Sequence, residues 1–490
     1  MGARLCLVLV LALAGVLGCS SKSAFHCAGS EQCVQAGMPG VCEPQGFCSF
    51  ADPGCAGGRR FEPNAGNGLG GTCVEVDAAM PPCGAGGQAC CASEPACIAG
   101  LTCNAGTCGS CIEDVAPGRH AMCVLHKDHT IWCAGENQYG QLGVGLSGPN
   151  RATWMQVRDS TSLVISDAAQ ISTGWEFTCA VRTGGTVWCW GYAATGQMGN
   201  NTAGGAPAAV QVLKAPGQPL TNIAEVSAGQ SHACARDTAG GVWCWGANNR
   251  GQIGDGTTTQ RNVATPVLDA AAGPALTGAL DLDVGADHAC VLKAGDALWC
   301  WGINNRGQLG DGTTPPADRL SPVSVGSAVK FTTGNMTTCV MRADESVLCT
   351  GDAWRNRIGN GAPVYDTISY YSTPERVLTA PGGAPLTGVD TIVSGGANCA
   401  LMKDTSVLCW GDDTHGQIGT GGGSTTPAPV LMADGTPLEG VDRIVTKRAR
   451  VCARRTGGEW WCWGRNLEGA LGDGTFVNRS VPVPLGGGCP

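Results

Sequence analysis

The sequence predicts an all-β chain whose main body is a seven-bladed β-propeller with four strands in each blade. A cysteine-bounded segment occurs seven times, and its copies begin 49 to 60 residues apart. The chain has 77 glycines and only 14% charged residues, a composition typical of many short strands joined by tight turns. A period near 50 residues with β-type sequence is typical of propeller blades.

The third copy shows how one blade is expected to be built. Residues 206–212 predict a first strand, residues 223–229 a second, the segment with His232 and Cys234 a third, and residues 242–246 a fourth. A glycine-rich turn at 249–257 then leads onward. In this reading the last Pro-Val strand, 481–485, completes the blade that begins at Ile112 and closes the ring.

The two cysteines of each copy are separated by ten residues, which places them opposite each other across a β-hairpin. Because an exported chain with many cysteines favours disulfides, we expect one bridge per blade. Buried reduced thiols are the alternative, and zinc is disfavoured because paired Cys-x-x-Cys ligands are lacking. The expected pairs are Cys123–Cys133, Cys179–Cys189, Cys234–Cys244, Cys290–Cys300, Cys339–Cys349, Cys399–Cys409 and Cys452–Cys462.

The first residues predict export. Residues 1–18 have the pattern of a lipoprotein signal peptide, and Cys19 follows a lipobox-like Val-Leu-Gly, so Cys19 is the expected lipidation site. An ordinary signal with Cys19 in a disulfide is the alternative. Ser20 favours the outer membrane or cell surface of a bacterial envelope over the inner membrane.

The region between signal and propeller is rich in cysteine. We expect a cysteine-rich module I at 19–75, a linker and module II at 76–111, and the propeller at 112–490. The modules form either a stiff stalk or a ligand-binding unit. Thirteen cysteines, an odd number, lie between Cys19 and the start of the propeller, so we expect Cys111 to pair with Cys489 and join the two ends of the ring.

The repeats closely resemble the regulator-of-chromosome-condensation family, whose blades carry Cys-Ala-Leu, Val-Trp-Cys-Trp-Gly and Gly-Gln-Leu-Gly-Asp-Gly-Thr motifs. The match is specific at 251–257 and 307–313. It weakens where Ala134 and Thr350 replace tryptophan, and the seventh copy lacks the glycine that precedes its first cysteine in the earlier blades. The resemblance implies a seven-bladed propeller. The nucleotide-exchange and chromatin roles of the family's namesake do not transfer to an exported, acidic chain.

Residues able to perform catalysis are sparse, so we expect no enzyme, no cofactor and no metal. His126 and His129 flank a predicted polar turn that offers at most a weak metal site. His232 and His288 occupy equivalent repeat positions, which favours packing. Three Asp-Gly-Thr triplets predict turns, and two tryptophans of one Trp-Cys-Trp segment are expected to pack between blades; these are Asp255, Asp311, Asp473, Trp243 and Trp245.

The remaining function is binding through the rim loops of the propeller. The net charge of −9 disfavours nucleic acid, so we expect a monomeric scaffold that binds an unknown protein or envelope polymer and contacts the membrane only by its lipid. Tyr365, Tyr370 and Tyr371, in the longest inter-hairpin stretch, are the candidate partner contacts. An inhibitor of a secreted enzyme is the alternative, and a propeller lyase or hydrolase is a weaker one.

Overall fold

The computed structural model describes residues 110–362, 369–420 and 424–486, together with the backbone of seven short strands before them. The chain forms two compact units, Met1–Pro82 and Cys83–Pro490. The early strands are β1 (Val34–Gln35), β2 (Met38–Pro39), β3 (Val41–Cys42), β4 (Cys48–Ala51), β5 (Arg59–Phe61), β6 (Thr102–Asn104) and β7 (Thr107–Gly109). Cys19 lies outside the described residues, and the expected domain boundaries stay predictions.

Seven four-stranded antiparallel sheets form the propeller, as predicted. The innermost strands, which contact one another around the ring, are β8 (Ile112–Pro117), β12 (Ala168–Thr173), β18 (Ile223–Ala228), β22 (Ala279–Val284), β26 (Lys330–Thr333), β30 (Val389–Ser394) and β34 (Val441–Lys447). The second strands are β9 (Ala121–His126), β13 (Phe177–Arg182), β19 (His232–Asp237), β23 (His288–Lys293), β27 (Thr337–Met341), β31 (Ala397–Met402) and β35 (Arg450–Arg455).

The outer half of each blade is built from a third and a fourth strand. The third strands are β10 (Ile131–Gly135), β14 (Val187–Gly191), β20 (Val242–Gly246), β24 (Ala297–Gly302), β28 (Val347–Asp352), β32 (Val407–Gly411) and β36 (Trp460–Gly464). The outermost are β11 (Arg151–Gln156), β15 (Ala206–Gln211), β21 (Arg261–Pro266), β25 (Arg319–Ser327), β29 (Tyr370–Arg376), β33 (Ala428–Pro429) and β37 (Arg479–Pro484). A small hairpin, β16 (Leu213–Ala215) and β17 (Gln218–Pro219), and a 3₁₀ turn, Trp354–Asn356, lie in connections.

A disulfide joins the second and third strands of every blade, which confirms the seven predicted pairs. In the third blade Cys234 faces Cys244 in the strand register, and their Cα atoms are 4.1 Å apart. The other six bridges have the same Cα separation of 4.1 Å. The bridged cysteines are buried within the blades. Each bridge closes a short loop, so in the chain-entropy model it stabilises the fold by roughly 2–3 kcal/mol.

The expected closure by strand 481–485 is wrong. Each Pro-Val strand belongs to the blade whose hairpin precedes it: Ala206–Gln211 pairs with β14 of the second blade, and Arg479–Pro484 pairs with β36 of the seventh. The first blade has its own outermost strand, Arg151–Gln156. The physical reason is that the glycine-rich loop after each third strand reverses the chain, so the next strand runs antiparallel to the strand just left.

The same glycine-rich loops hold neighbouring blades together, including the first and the last. A Cβ on Gly140 of the first blade would lie 2.3 Å from the Cα of Pro207 in the second. A Cβ on Gly469 of the seventh would lie 2.7 Å from the Cα of Ala152 in the first. The backbone of each of these loops therefore packs directly against the outermost strand of the following blade, and only glycine permits so close an approach. The ring closes by the contact used at its other junctions.

A tryptophan also fills most blade junctions, as predicted for Trp245. The buried Trp245 indole donates a hydrogen bond to the Gln197 carbonyl of the preceding blade, with an Nε1–O distance of 2.8 Å. Trp243 packs, partly buried, against the core shared by the second and third blades. Where Thr350 replaces this tryptophan, its hydroxyl donates to the Gly307 carbonyl instead. In the first blade Ala134 replaces this tryptophan, and there Trp154 lies against Gly472 of the seventh blade and fills the junction between the two blades.

Two further predictions concern residues near the ends of the propeller. Cys111 is disulfide-bonded, but Cys489 lies outside the described residues, so the Cys111–Cys489 bridge stays a prediction. In the part of the chain that the structure describes, no helix has the length and apolar character needed to cross a membrane.

Candidate functional site: the central depression of the upper face

Two of the three tyrosines predicted as partner contacts lie in a strand and not in a loop. Tyr365 is outside the described residues, whereas Tyr370 and Tyr371 begin the outermost strand of the fifth blade and are partly buried. The Tyr371 hydroxyl accepts a hydrogen bond from the Asn360 amide at 3.0 Å. The expected loop position is therefore wrong for these two residues, and their contact with a partner stays a prediction.

The histidines flanking the first hairpin have local roles. His126 is buried and stacks on Trp132 with ring centroids 5.7 Å apart, and the His129 Nδ1 lies 3.0 Å from the Ala168 carbonyl oxygen. Between them, Asp128 accepts hydrogen bonds from Thr130, as expected of a polar turn. Across residues 110–362, 369–420 and 424–486, no three metal-ligating side chains cluster.

The Asp-Gly-Thr triplets are turns, as predicted. In each, the aspartate accepts hydrogen bonds from the threonine two residues later and from an arginine at the start of the following strand. Asp255, for example, binds Thr257 and Arg261 and is buried. These carboxylates are fully engaged in holding the loops that lap over the next blade.

His232 and His288 are packed inside the ring, as predicted from their repeated position. Burial lowers the pKa of His232 to about 3 and that of His288 to about 4, so both rings are neutral at pH 7. His288 lies 3.0 Å from the Thr338 hydroxyl, while neither nitrogen of His232 has a hydrogen-bond partner. A buried ring without partners is a packing element rather than an acid or base in contact with a ligand.

One concave site gathers residues from every blade, and sequence reasoning missed it. We call upper face the side that carries the turns between first and second strands and the loops between third and outermost strands. At its centre lies a cavity of about 730 Å³, the central depression. Each blade contributes a turn residue to its wall: Arg119, Trp175, Gln230, Ala286, Asn335, Gly396 and Arg448.

Hydrogen bonds between consecutive turns fix the shape of the depression. The Trp175 amide donates to the Gly229 carbonyl at 3.2 Å, and the Gln230 amide donates to the Ala286 carbonyl at 2.8 Å. A Cβ at Gly229 would lie 2.5 Å from the Gly285 carbonyl oxygen, so a side chain there would break the contact. The wall is thus a circle of hydrogen-bonded backbone whose turns display side chains from every blade but the sixth, where the turn residue is Gly396.

The seventh blade departs from this pattern. Its turn reads Lys447-Arg448-Ala449-Arg450, with Lys447 where the first five copies have glycine. The Lys447 ammonium reaches the fourth blade and donates to the Val284 carbonyl at 2.9 Å. Burial lowers the pKa of Lys447, although Asp283 opposes this shift. The missing glycine noted in the sequence therefore marks a cationic turn at the ring axis.

Arg450 secures this turn to the first blade. Its buried guanidinium donates to the carbonyls of Gly118 and Arg119 at 2.5 and 2.8 Å and forms an ion pair with Glu468 at 3.3 Å. Burial lowers the pKa of Arg450 to about 10. His120, Arg465 and Arg450 together hold the pKa of Glu468 at about 2, despite its burial. Arg450 is a positioning residue for the arginines on either side of the junction.

Two of those arginines share one tryptophan. The guanidinium carbons of Arg119 and Arg448 lie 4.6 and 4.3 Å from the Trp175 ring centroid. Arg448 has a φ of 50°, in the left-handed region that favours glycine. Burial, followed by the charges of Arg119, Arg357 and Arg465, lowers the pKa of Arg448 to about 10. The side chains of three separate blades thus form an Arg–Trp–Arg cluster at the axis.

The fifth and sixth blades supply the opposite wall, where the charges are paired. Arg357 and Arg355 form ion pairs of 2.6 Å with Asp352 and Asp412, respectively. Trp354, which directly precedes Arg355 in the chain, is 56% exposed and lies under the Arg355 guanidinium. This wall combines an apolar surface with fixed cations.

The fold and this site define a class: a disulfide-braced, seven-bladed propeller with a cationic depression at the centre of one face. The chain belongs to the RCC1-like domain family, whose model matches residues 83–449. Among curated relatives, the mouse probable E3 ubiquitin-protein ligase HERC4 is 26% identical over 219 residues, covering 44% of this chain and 19% of the relative. Human HERC3, also a probable E3 ubiquitin-protein ligase, is 27% identical over 215 residues, covering 43% and 19%.

The chain therefore spans about a fifth of the length of these relatives. Among solved structures, Prp20p of Saccharomyces cerevisiae is similar with a TM-score of 0.58 and 17% identity, covering 73% of this chain and 85% of Prp20p. Human WBSCR16 has the same TM-score of 0.58 with 21% identity, covering 73% and 94%. At these identities the structural likeness shows the fold alone.

Proposed function

We propose that this protein is an exported, lipid-anchored, non-enzymatic binding scaffold whose ligand-binding surface is the upper face. The observation that carries the proposal is the central depression, to which every blade contributes a side chain. A concave site with a few convergent polar groups is the usual form of a binding site. Trp354 and Met336, 56% and 38% exposed at the depression, add apolar contact area.

The non-enzymatic part of the proposal is supported by the roles already filled by the candidate acid and base groups. The ion pairs between Arg357 and Asp352 and between Arg355 and Asp412 occupy the aspartates in the depression. Glu468 is held ionised by its arginines. These carboxylates are thus engaged in ion pairs that stabilise the wall of the depression.

The binding surface is tested by capture with matched variants. The full chain, purified in detergent, is incubated with envelope and secreted fractions, and retained components are identified by mass spectrometry. Trp354→Ser alters the upper face, whereas Leu280→Ser alters an equally exposed residue, 59%, at the other end of an innermost strand.

We expect a component that the wild type and Leu280→Ser retain and Trp354→Ser loses. Loss in Leu280→Ser with retention in Trp354→Ser would place binding on the opposite face and contradict the proposal.

The lipid anchor is a separate part of the proposal. The seven disulfides support an oxidising compartment. Cys19→Ser is expected to move the protein from the membrane fraction to the soluble fraction of the envelope, with loss of the lipid mass from the N-terminal peptide. Unchanged partitioning would favour an ordinary signal peptide instead.

A further inference from the structure

Three arginines of the central depression have no carboxylate partner within the part of the chain that the structure describes. Of its six arginines, Arg355 and Arg357 pair with aspartates and Arg465 pairs with Glu468. Arg119, Arg306 and Arg448 form no ion pair with any residue of the described ranges. In a chain with a net charge of −9, the depression is a local concentration of unneutralised positive charge.

Arg448 is held in this place against two unfavourable effects. Its φ of 50° lies in the left-handed region that favours glycine. Burial and the charges of neighbouring arginines disfavour its cation, and the charge of Asp412 opposes them. The buried Arg357 is also incompletely satisfied, because its Nε has no hydrogen-bond partner among the described residues and its side chain is 9% exposed. An anion in the depression would relieve the repulsion and accept charge-assisted hydrogen bonds from these groups.

The shape of the depression restricts how a ligand enters. The turns of all seven blades surround it, so it has the form of a pit and not of a groove open at both ends. A continuous polymer chain would have to bend sharply to enter the depression, whereas a loop tip or a chain end can enter it directly. The rim offers Trp354 and Met336 beside the arginines, and aromatic, methionine and arginine side chains are enriched at protein interfaces.

We propose that the central depression binds a carboxylate-bearing segment of a protein partner, an acidic loop tip or chain end that contacts Arg119, Arg306 and Arg448. This inference rests on the proposed function and specifies the chemistry of its ligand. Arginine forks hold carboxylates in a bidentate geometry, which gives orientation as well as affinity.

The test uses a fluorescein-labelled hexaglutamate peptide and the full chain, titrated by fluorescence anisotropy at low ionic strength. The variants are Arg448→Gly, Arg119→Gln and the two combined. The matched control is Arg158→Gln, which removes an exposed guanidinium that lies outside the depression and donates to the Ser162 carbonyl. We expect each depression variant to weaken binding about tenfold, since a hydrogen bond to a charged group contributes about that much.

The combined variant is expected to lose more affinity than either single variant. Arg158→Gln is expected to remain within about twofold of the wild type, because an exposed charge outside the depression acts on the bound peptide only through water of high dielectric constant. Glycine at 448 adopts the left-handed φ without strain, so Arg448→Gly is expected to keep the wild-type thermal unfolding midpoint. Hexaglutamate affinity equal in the wild type and the combined variant would overturn the proposal.

Two further ligands decide the chemical class. Hexalysine is expected to bind equally to the wild type and the combined variant, because its charge excludes it from the depression. Polygalacturonate, a carboxylate-bearing sugar polymer, is expected to bind more weakly than hexaglutamate per carboxylate. Tighter, arginine-dependent binding of polygalacturonate would overturn the proposal in favour of an envelope polymer. If Arg448→Gly still captures the component that Trp354→Ser loses, the acidic-ligand inference is wrong while the binding function of the upper face stands.

Discussion

The third and fourth blades and the seventh blade use the same turn for different purposes. In the third and fourth, glycine is followed three residues later by a buried, neutral histidine, His232 or His288. In the seventh, Lys447 and Arg450 occupy those positions. The turns of the third and fourth blades form a close-packed, uncharged wall, whereas the turn of the seventh blade places positive charge at the same distance from the ring axis. A repeat position with a purely structural role in some blades thus becomes a source of charge in another.

The seventh blade can hold buried cations because backbone carbonyls receive them. Lys447 donates to Val284, and Arg450 donates to the carbonyls of Gly118, Arg119 and Arg465. Carbonyl oxygens and one carboxylate replace the water that a buried guanidinium loses. The regular blades need no such support because their histidines are uncharged.

The largest expected effect comes from removing that support. Arg450→Met should lower the free energy of unfolding by about 3–5 kcal/mol, because it removes one partner of the buried Glu468 and the hydrogen bonds that join the seventh blade to the first. Urea unfolding with the disulfides intact measures the loss.

The matched change in the regular region is His232→Phe. Phe177 occupies the same position in the second blade, and both nitrogens of His232 lack partners, so the variant should remain within about 1 kcal/mol of the wild type or gain stability. A loss in His232→Phe as large as that in Arg450→Met would remove the distinction between the two kinds of turn.

The disulfides of the fourth and seventh blades should contribute equally to the free energy of unfolding. Replacing both cysteines of Cys290–Cys300 or of Cys452–Cys462 by alanine should cost roughly 2–3 kcal/mol in either blade, because the bridges close loops of the same length. The free energies of unfolding of the two double variants are to be compared. A difference above about 2 kcal/mol would mean that the seventh blade differs in its hairpin as well as in its turn.

The two regions should also respond to pH with opposite signs. Burial and the neighbouring Asp281 raise the pKa of Glu225 in the third blade to about 7. The folded state therefore binds the proton more tightly than the unfolded state, and this group reduces stability as pH rises from about 4.5 to about 7. Glu225→Gln should recover roughly 1–3 kcal/mol at pH 8 relative to pH 5.

Glu468 behaves in the opposite way, because its folded pKa of about 2 lies below its ordinary value of 4.5. Its stabilising contribution is fully present above pH 4.5 and is lost as pH falls toward 2. Unfolding curves between pH 3 and pH 8 for wild type and Glu225→Gln separate the two groups. A Glu225→Gln curve parallel to the wild type between pH 5 and pH 8 would contradict the raised pKa.

Much of the fold followed from the repeat. The ten-residue cysteine spacing fixed the register of the second and third strands, because only one antiparallel pairing places the two cysteines opposite each other. The second tryptophan of Trp-Cys-Trp was correctly placed between blades. Alternation along a hairpin is a local property, and local properties are readable from sequence.

Two features could not be predicted from such local patterns: the blade to which each outermost strand belongs, and the central depression. Whether Ala206–Gln211 joins the hairpin before or after it depends on how the glycine-rich loop folds back, which residue patterns alone leave open. The central depression is assembled from turn residues about 50 residues apart, none of which forms a motif with its sequence neighbours. The missing glycine at Lys447 was the available signal, and it pointed to the turn but not to its convergence with Arg119 and Trp175.

The central claim is that the depression binds through its positive charge, and the most direct measurement adds charge from a regular blade. Ala286 of the fourth blade lines the depression, so Ala286→Arg adds a guanidinium to the six already present. Hexaglutamate affinity should then rise in the order Arg448→Gly, wild type, Ala286→Arg, with the last step about threefold or more. Equal affinity across the three folded proteins would contradict the account.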